Sequence, residues 1–380
     1  MTHKRFGALI ALVVVFSMFL VACGGAATPA APVATQAPAK TEAPVMTEAP
    51  VATEAPAATE AAAGGALKIV YIPKNTGNPY FDSIIRGFEQ ACQEIGCEFT
   101  TTAPATAEAT SQIPFVEEQI QRGVDVLAIS PNSPDALNEV FDKARAAGIT
   151  VLIVNSDIPG SESHRDAAVL PMDFNITGAS QVELMCSLIP ECTGKIAILS
   201  ATADAPDQNF WIEGMKEALT QDKYKGLELV EVVYGDDDPQ KSLTECESLL
   251  SKYPDLSGII APTTVGVAAA GQCVESAGVY PGGANAVGNG LFVTGLGTPN
   301  QMRAFVENDI VKAFALWSPY DEGYLSGYLG TDLASGKVEA KEGNKFTVPN
   351  LGEREFKKDA VVITGPPTVF TKDNIGNFDF

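Results

Sequence analysis

The stretch LKIVYIPKNTGNPYFDSIIRGFEQACQEIGCEFTTT, residues 67–102, contains the unit from which the fold is built. Leu67–Pro73 is a short apolar run rich in β-branched residues and reads as a buried strand. Apolar residues then recur at helical spacing over Phe81–Ile95, and Cys97–Thr102 returns to strand. The same order repeats. Strands are expected at Val124–Ser130, Ile149–Asn155 and Ala167–Pro171, with helices near Pro114–Arg122 and Pro134–Ala147. A second series has strands at Lys195–Ser200, Leu227–Tyr234, Gly258–Ala261 and Ala286–Thr294. Its helices lie near Phe210–Leu219, Ser242–Lys252 and Val267–Ala277. Alternating β and α units imply parallel sheets covered on both faces, and two such series imply two similar α/β lobes. After Pro299 come one more helix, the strand Val311–Leu316, a helix near Tyr320–Leu333 and a strand-rich tail.

In open parallel sheets, ligands bind beyond the carboxyl ends of the strands. Those ends carry Lys74 to Phe81, including Asn78 and Tyr80, then Ser130, Asn155, Asp157, Asp207, Gln208, Trp211, Pro262, Thr264 and Trp317. Flat aromatic faces stack on the apolar faces of sugar rings. Carboxylates, amides and one lysine pair with hydroxyls. Each residue also has a plainer reading. Lys74 fits a solvated loop, Asp207 and Gln208 could cap the helix near Phe210, and Asp157 could set the turn into Pro159. Trp211 and Trp317 could be core. Asp236-Asp237-Asp238 lacks the spacing and glycine of a calcium loop and reads as an acidic helix N-terminus. Gly288-x-Gly290 and Gly295-x-Gly297 do not complete a dinucleotide fingerprint and read as turns. No metal or cofactor is expected.

The chain of 380 residues carries 25 Lys and Arg against 47 Asp and Glu, a net charge of −22. That balance repels phosphate backbones and argues against a nucleic-acid partner. At the N-terminus, Lys4-Arg5 precedes an apolar run, Gly7 to Leu20, and then Leu20-Val21-Ala22-Cys23. Basic, apolar and small residues in that order form a secretory signal peptide over 1–22. The run is short for a spanning helix, which needs about 20 residues. The cysteine directly after it resembles the cleavage site of bacterial lipoproteins, which implies lipid on Cys23 and a place outside the cytoplasmic membrane, at the cell surface or in the periplasm. Residues 23–66 repeat Thr-Glu-Ala-Pro at 41–44, 47–50 and 53–56, and read as a stiff acidic tether. The binding domain then spans 67–380.

Six further cysteines are present: Cys92, Cys97, Cys186, Cys192, Cys246 and Cys273. Six cysteines in an exported protein allow about 15 connectivities. Two pairs straddle helix-to-strand turns, and Cys246 and Cys273 sit on consecutive helices of one sheet face. The pairing 92–97, 186–192 and 246–273 is therefore favoured. Six buried free thiols are the alternative.

Ile72-Pro73-Lys74-Asn75-Thr76-Gly77-Asn78-Pro79-Tyr80-Phe81 resembles the first ligand loop of type I periplasmic sugar-binding proteins. Asp207-Gln208-Asn209-Phe210-Trp211 and Ile259-Ile260-Ala261-Pro262 look like the branch holding rhamnose-binding and autoinducer-2-binding proteins. So do Leu296 to Arg303, Lys312 to Trp317 and the ending Asp373 to Phe380. The resemblance implies two lobes closing on a ligand, joined by three crossovers near Asp173, Leu296 and Ser318. Lobe one would hold about 67–173 and 297–318, and lobe two about 174–296 and 319–380. It also implies ligand contacts at Lys74, Asp207, Gln208 and Pro262, with Tyr80 and Phe81 as an aromatic wall. Asn155 and Thr263-Thr264 depart from the autoinducer-2 pattern, where an acidic residue and Asp-Ala stand. Gly295-Leu296-Gly297 and Asn155-Ser156 depart from the ribose pattern. Pro262 to Gly266 look more like the rhamnose-type members.

No Gly-x-Ser-x-Gly elbow and no HExxH motif occur, and His164 is the one histidine beyond the signal peptide. An enzyme is therefore not expected. A DNA-binding regulator on this fold would need an N-terminal helical unit in place of the signal and tether. The expectation is a monomeric sugar-capture protein that serves an ABC transporter permease. Service to a sensor, or autoinducer-2 as ligand, is the alternative.

Overall fold

A computed structural model describes residues 65–380. The signal peptide expected over 1–22, Cys23 and the repeat lie outside the described residues.

The first series is β1 (Lys68–Ile72), α1 (Pro79–Ile95), β2 (Glu98–Thr101), α2 (Ile113–Arg122), β3 (Val126–Ile129), α3 (Asn138–Ala146), β4 (Thr150–Val154) and β5 (Ala167–Leu170). The second is α4 (Phe174–Leu188), β6 (Gly194–Ser200), α5 (Pro206–Leu219), β7 (Leu227–Tyr234), α6 (Pro239–Lys252), β8 (Leu256–Ala261), α7 (Thr264–Ala277), β9 (Phe292–Gly295), α8 (Pro299–Glu307) and β10 (Ala313–Leu316). There follow α9 (Pro319–Ala334), β11 (Lys345–Val348), β12 (Gly352–Glu355), β13 (Val361–Ile363) and β14 (Thr368–Thr371).

The first sheet runs β13-β5-β4-β3-β1-β2, all parallel. The second runs β7-β6-β8-β9, also parallel. β1 shows why both faces are covered. Ile69 and Tyr71 point into one apolar cluster with Phe88 of α1, while Val70 and Ile72 point into another with Phe141 of α3. Each such fully buried side chain stabilises the fold by about 1.5–3 kcal/mol. The helices start where local chemistry allows. The Asn78 side chain accepts from Tyr80 N and Pro79 occupies the first turn of α1, while Gly96 closes it in the left-handed region at φ 85°.

Two expectations are corrected. The segment 297–318 does not return to the first lobe. Leu296 bridges Ala315 in parallel, Gly297 N donates to Ala315 O at 3.1 Å, and Thr294 Oγ1 donates to Ala313 O at 2.9 Å. These bonds extend the second sheet through β10, which β14 completes antiparallel. Conversely, α9 packs along α1 and β13 joins the edge of the first sheet, so most of 319–363 belongs to the first lobe. The lobes are therefore joined at 171–173, 317–318 and 364–367. The strand expected over Ala286–Thr294 is confined to β9, because Gly288 and Gly290 adopt positive φ (61° and 80°) and hold the preceding segment in turns.

The cysteines bond as Cys92–Cys97, Cys186–Cys192 and Cys246–Cys273, with Cα separations of 4.7, 4.6 and 6.3 Å. The first two close the α1–β2 and α4–β6 turns. The third ties α6 to α7.

Candidate functional site

The carboxyl ends of β1, β4, β6, β8 and β10 meet between the lobes around a cavity of about 30 Å³, which is near the share of one water molecule. Of the residues expected there, Lys74, Asn78, Tyr80, Phe81, Asn155, Asp207, Gln208, Trp211, Pro262, Thr264 and Trp317 line it. A groove of about 520 Å³ adjoins it, shares Asn78 and Asp237, and opens between loops of both lobes.

Charge at the centre is paired across the lobes. Lys74 follows β1, and Asp207 sits in the first turn of α5, where the helix N-terminus favours a carboxylate. Lys74 Nζ lies 2.6 Å from Asp207 Oδ1, with side chains only 3% and 1% exposed. Gln208 Oε1 is 3.4 Å from the same ammonium. A second link joins Thr264 Oγ1 to Asn78 Oδ1 at 3.1 Å. Asn155 holds φ at 71°, a left-handed conformation that a non-glycine residue adopts at a cost of about 1–3 kcal/mol. That backbone aims its side chain at the cavity, where Nδ2 is 3.5 Å from Asp207 Oδ2.

The aromatic wall is built from both lobes and a crossover. Tyr80 meets Phe81 edge-on at 5.3 Å, and Trp317 meets Trp211 at 5.8 Å. Trp317 Nε1 donates to Tyr80 Oη at 2.7 Å. Trp211 Nε1–H is buried and makes no hydrogen bond among the described residues.

Ser130 and Asp157 do not line the cavity. Ser130 Oγ is fully buried and bonded to Tyr71 Oη (2.7 Å) and Val154 O (2.9 Å), so it ties β1 to β4. Asp157 makes a two-pronged pair with Arg165, at 2.7 Å to Nε and 2.7 Å to Nη2. Asp157→Ala should therefore cost about 3 kcal/mol by leaving a buried guanidinium without its carboxylate, with affinity for any ligand of the cavity unchanged. Urea denaturation together with titration calorimetry checks this. An affinity loss without destabilisation would assign Asp157 to the site instead.

Two acidic residues were missed by sequence reasoning. In the Asp236 to Asp238 run, only Asp238 caps α6, accepting from Lys241 N at 2.7 Å. Asp237 turns inward, lines the cavity and accepts from Thr263 Oγ1, and burial pushes its carboxyl above the usual range. Glu322, in the first turn of α9, is fully buried, with Oε2 2.9 Å from Tyr80 Oη. Burial holds its carboxyl well above the usual range. Both sit in acidic helix starts whose local signal is that of a solvated end. Their inward direction follows from the packing of whole helices.

Two doubly wound lobes with polar and aromatic groups converging at their interface form the kind of cleft in which open α/β sheets bind small ligands. Residues 69–338 match the model of the periplasmic binding protein domain, and the chain belongs to that family. A sugar ABC transporter structure from Actinomyces odontolyticus is 40% identical, covers 83% of this chain and 98% of its own, and superposes with a TM-score of 0.66. An ABC transporter solute-binding protein from Clostridium phytofermentas with bound L-rhamnose is 30% identical, covers 82% of this chain and 98% of its own, and has a TM-score of 0.77. The xylose/arabinose-binding protein XylF of Sulfolobus acidocaldarius is 24% identical over 70% of this chain, and the match spans 64% of that protein's length.

Proposed function

We propose that this chain is an extracytoplasmic sugar-binding lipoprotein of an ABC transporter, which captures a rhamnose-like aldose by lobe closure and delivers it to a permease. The observation that carries the reading is the buried Lys74–Asp207 pair, one partner from each lobe, inside an aromatic frame. A sugar hydroxyl between them accepts from the ammonium and donates to the carboxylate. Only the closed arrangement makes both bonds, so ligand favours closure. With about 30 Å³ free, a sugar takes the place of the direct ion pair as the lobes part and close again. The L-rhamnose complex at 30% identity supports the aldose class. Asn155 and Thr263, which depart from the autoinducer-2 pattern, weigh against that ligand. No turnover of the sugar is expected.

The test is thermal unfolding against L-rhamnose, related deoxysugars, other aldoses and autoinducer-2. At 100 times Kd a ligand stabilises the native state by about 2.7 kcal/mol, which reads as a shift of several degrees. The reading fails if every compound leaves the midpoint unmoved. The anchor is tested separately. Cys23→Ser should move the protein from the membrane fraction to the soluble fraction with sugar binding intact. Retention in the membrane would reject lipidation at Cys23.

A further inference from the structure

Tyr80 Oη stands at a junction with more acceptors than protons. It receives the Trp317 Nε1–H, and faces both Asn155 Oδ1 and Glu322 Oε2 within hydrogen-bond distance. The phenol has one proton, so it can donate to only one of the two oxygens. Turning the Asn155 amide over does not help. That would set its carbonyl oxygen against Asp207 Oδ2, which now faces Nδ2 at 3.5 Å. Glu322 itself is fully buried, and Oε1 makes no hydrogen bond among the described residues. The titratable groups that face it are Tyr80 on α1, Tyr71 on β1 and Asp207 on α5; each is neutral or negative, and none is a cation.

We propose that Glu322 is a positioning residue, held as the neutral acid, whose Oε2–H donates to Tyr80 Oη. The three contacts at Tyr80 Oη are then all matched as donor to acceptor. Tyr80 accepts from Trp317 and Glu322 and donates its own proton to Asn155 Oδ1. Asn155, with its carbonyl occupied, presents its amide nitrogen to the cavity, beside Asp207. The consequence is a specificity rule: at Asn155 the ligand offers an acceptor, while at Asp207 it offers a donor. A carboxyl buried among neutral and acidic groups favours this protonation state, and burial is the main cause of its raised pKa.

The pH dependence follows. Below the ordinary carboxyl value of 4.5 the folded and unfolded chains both carry the proton. As the pH rises above it, the unfolded chain releases the proton while the native state keeps it, so stability falls until the folded carboxyl itself ionises. Glu322→Gln removes this loss, and its NH2 can donate to Tyr80 Oη as the acid does. Glu322→Ala removes the donor.

The deciding measurement is infrared difference spectroscopy of wild type against Glu322→Gln at pH 7, without ligand. The expected result is a protonated-carboxyl C=O band present in wild type and lost in the variant. Urea titrations from pH 5 to 8 should show wild type losing stability relative to Glu322→Gln as the pH rises. With L-rhamnose as probe, Glu322→Gln should bind within about threefold of wild type, and Glu322→Ala at least about tenfold more weakly. A folded Glu322→Gln without the band difference, or a stability gap independent of pH, overturns the proposal. The inference about Asn155 rests on the sugar-binding reading. Failure of L-rhamnose to bind any variant would reject that ligand, while the infrared and stability results still decide Glu322.

Discussion

Asp207→Ala should abolish the sugar-induced rise in unfolding temperature and lower the stability of the closed form by about 3–5 kcal/mol. Two separate effects add. The variant loses the carboxylate that would take a hydroxyl proton, a charge-assisted bond about twice as strong as a neutral one. It also strands Lys74, whose side chain is 3% exposed and whose other hydrogen-bond partner, Gln208, is 3.4 Å away. A double variant separates them. Lys74→Met with Asp207→Leu removes both charges, so stability should largely return, because a buried pair replaced by apolar groups is often neutral. The sugar response should stay absent. Denaturant melts and thermal shifts on the three proteins read both quantities. A full sugar shift in Asp207→Ala would remove Asp207 from the site, and with it the central contact of the proposed function.

Gly87→Val should cost about 3 kcal/mol or more, since overpacking at a rigid contact exceeds the usual penalty. At Gly87 a Cβ would lie 2.1 Å from Tyr320 O and 2.6 Å from Tyr324 N, and at Gly323 one would lie 2.0 Å from Ile84 O. These are backbone atoms, so no rotamer change relieves the clash and α1 and α9 must separate. Tyr80 rides on α1 and Glu322 on α9, so separation also lengthens the 2.9 Å contact between them. Sugar affinity should fall together with stability. Gly365→Ala, where a Cβ meets nothing within 4 Å, is the control and should be near neutral. Equal stability of Gly87→Val and Gly365→Ala in urea would show that the helices tolerate a wider gap.

Much of the fold is legible along the chain because its signals are local. β1 alternates Ile69 and Tyr71 against Val70 and Ile72, and both sets are apolar, as a strand buried on both faces requires. The structure starts α1 at Asn78-Pro79 and α6 at Asp238-Pro239, two to three residues before the apolar period that marks each helix in the sequence. Candidate site residues are legible to the extent that they follow strand ends. Lys74, Asn155, Asp207 and Pro262 all do, and all line the cavity. Asp157 shows the limit of that rule. It lies two residues beyond Asn155, yet its carboxylate is taken by Arg165 from the connection before β5.

The alternation of strands and helices, the two-lobed class and the chemistry at the strand ends are written locally in the chain, because periods of 2 and 3.6 and capping residues act within a few positions. Long-range packing sets how residues 297–380 are shared between the lobes. β10 stays in the second lobe through bonds to Thr294 and Gly297, while α9 returns to the first through glycine contacts with no apolar period to announce them. It also decided that Asp237 and Glu322 face inward. An acidic helix start has the same sequence whether it meets water or a tyrosine hydroxyl, and the partner that distinguishes the two lies up to 242 residues away.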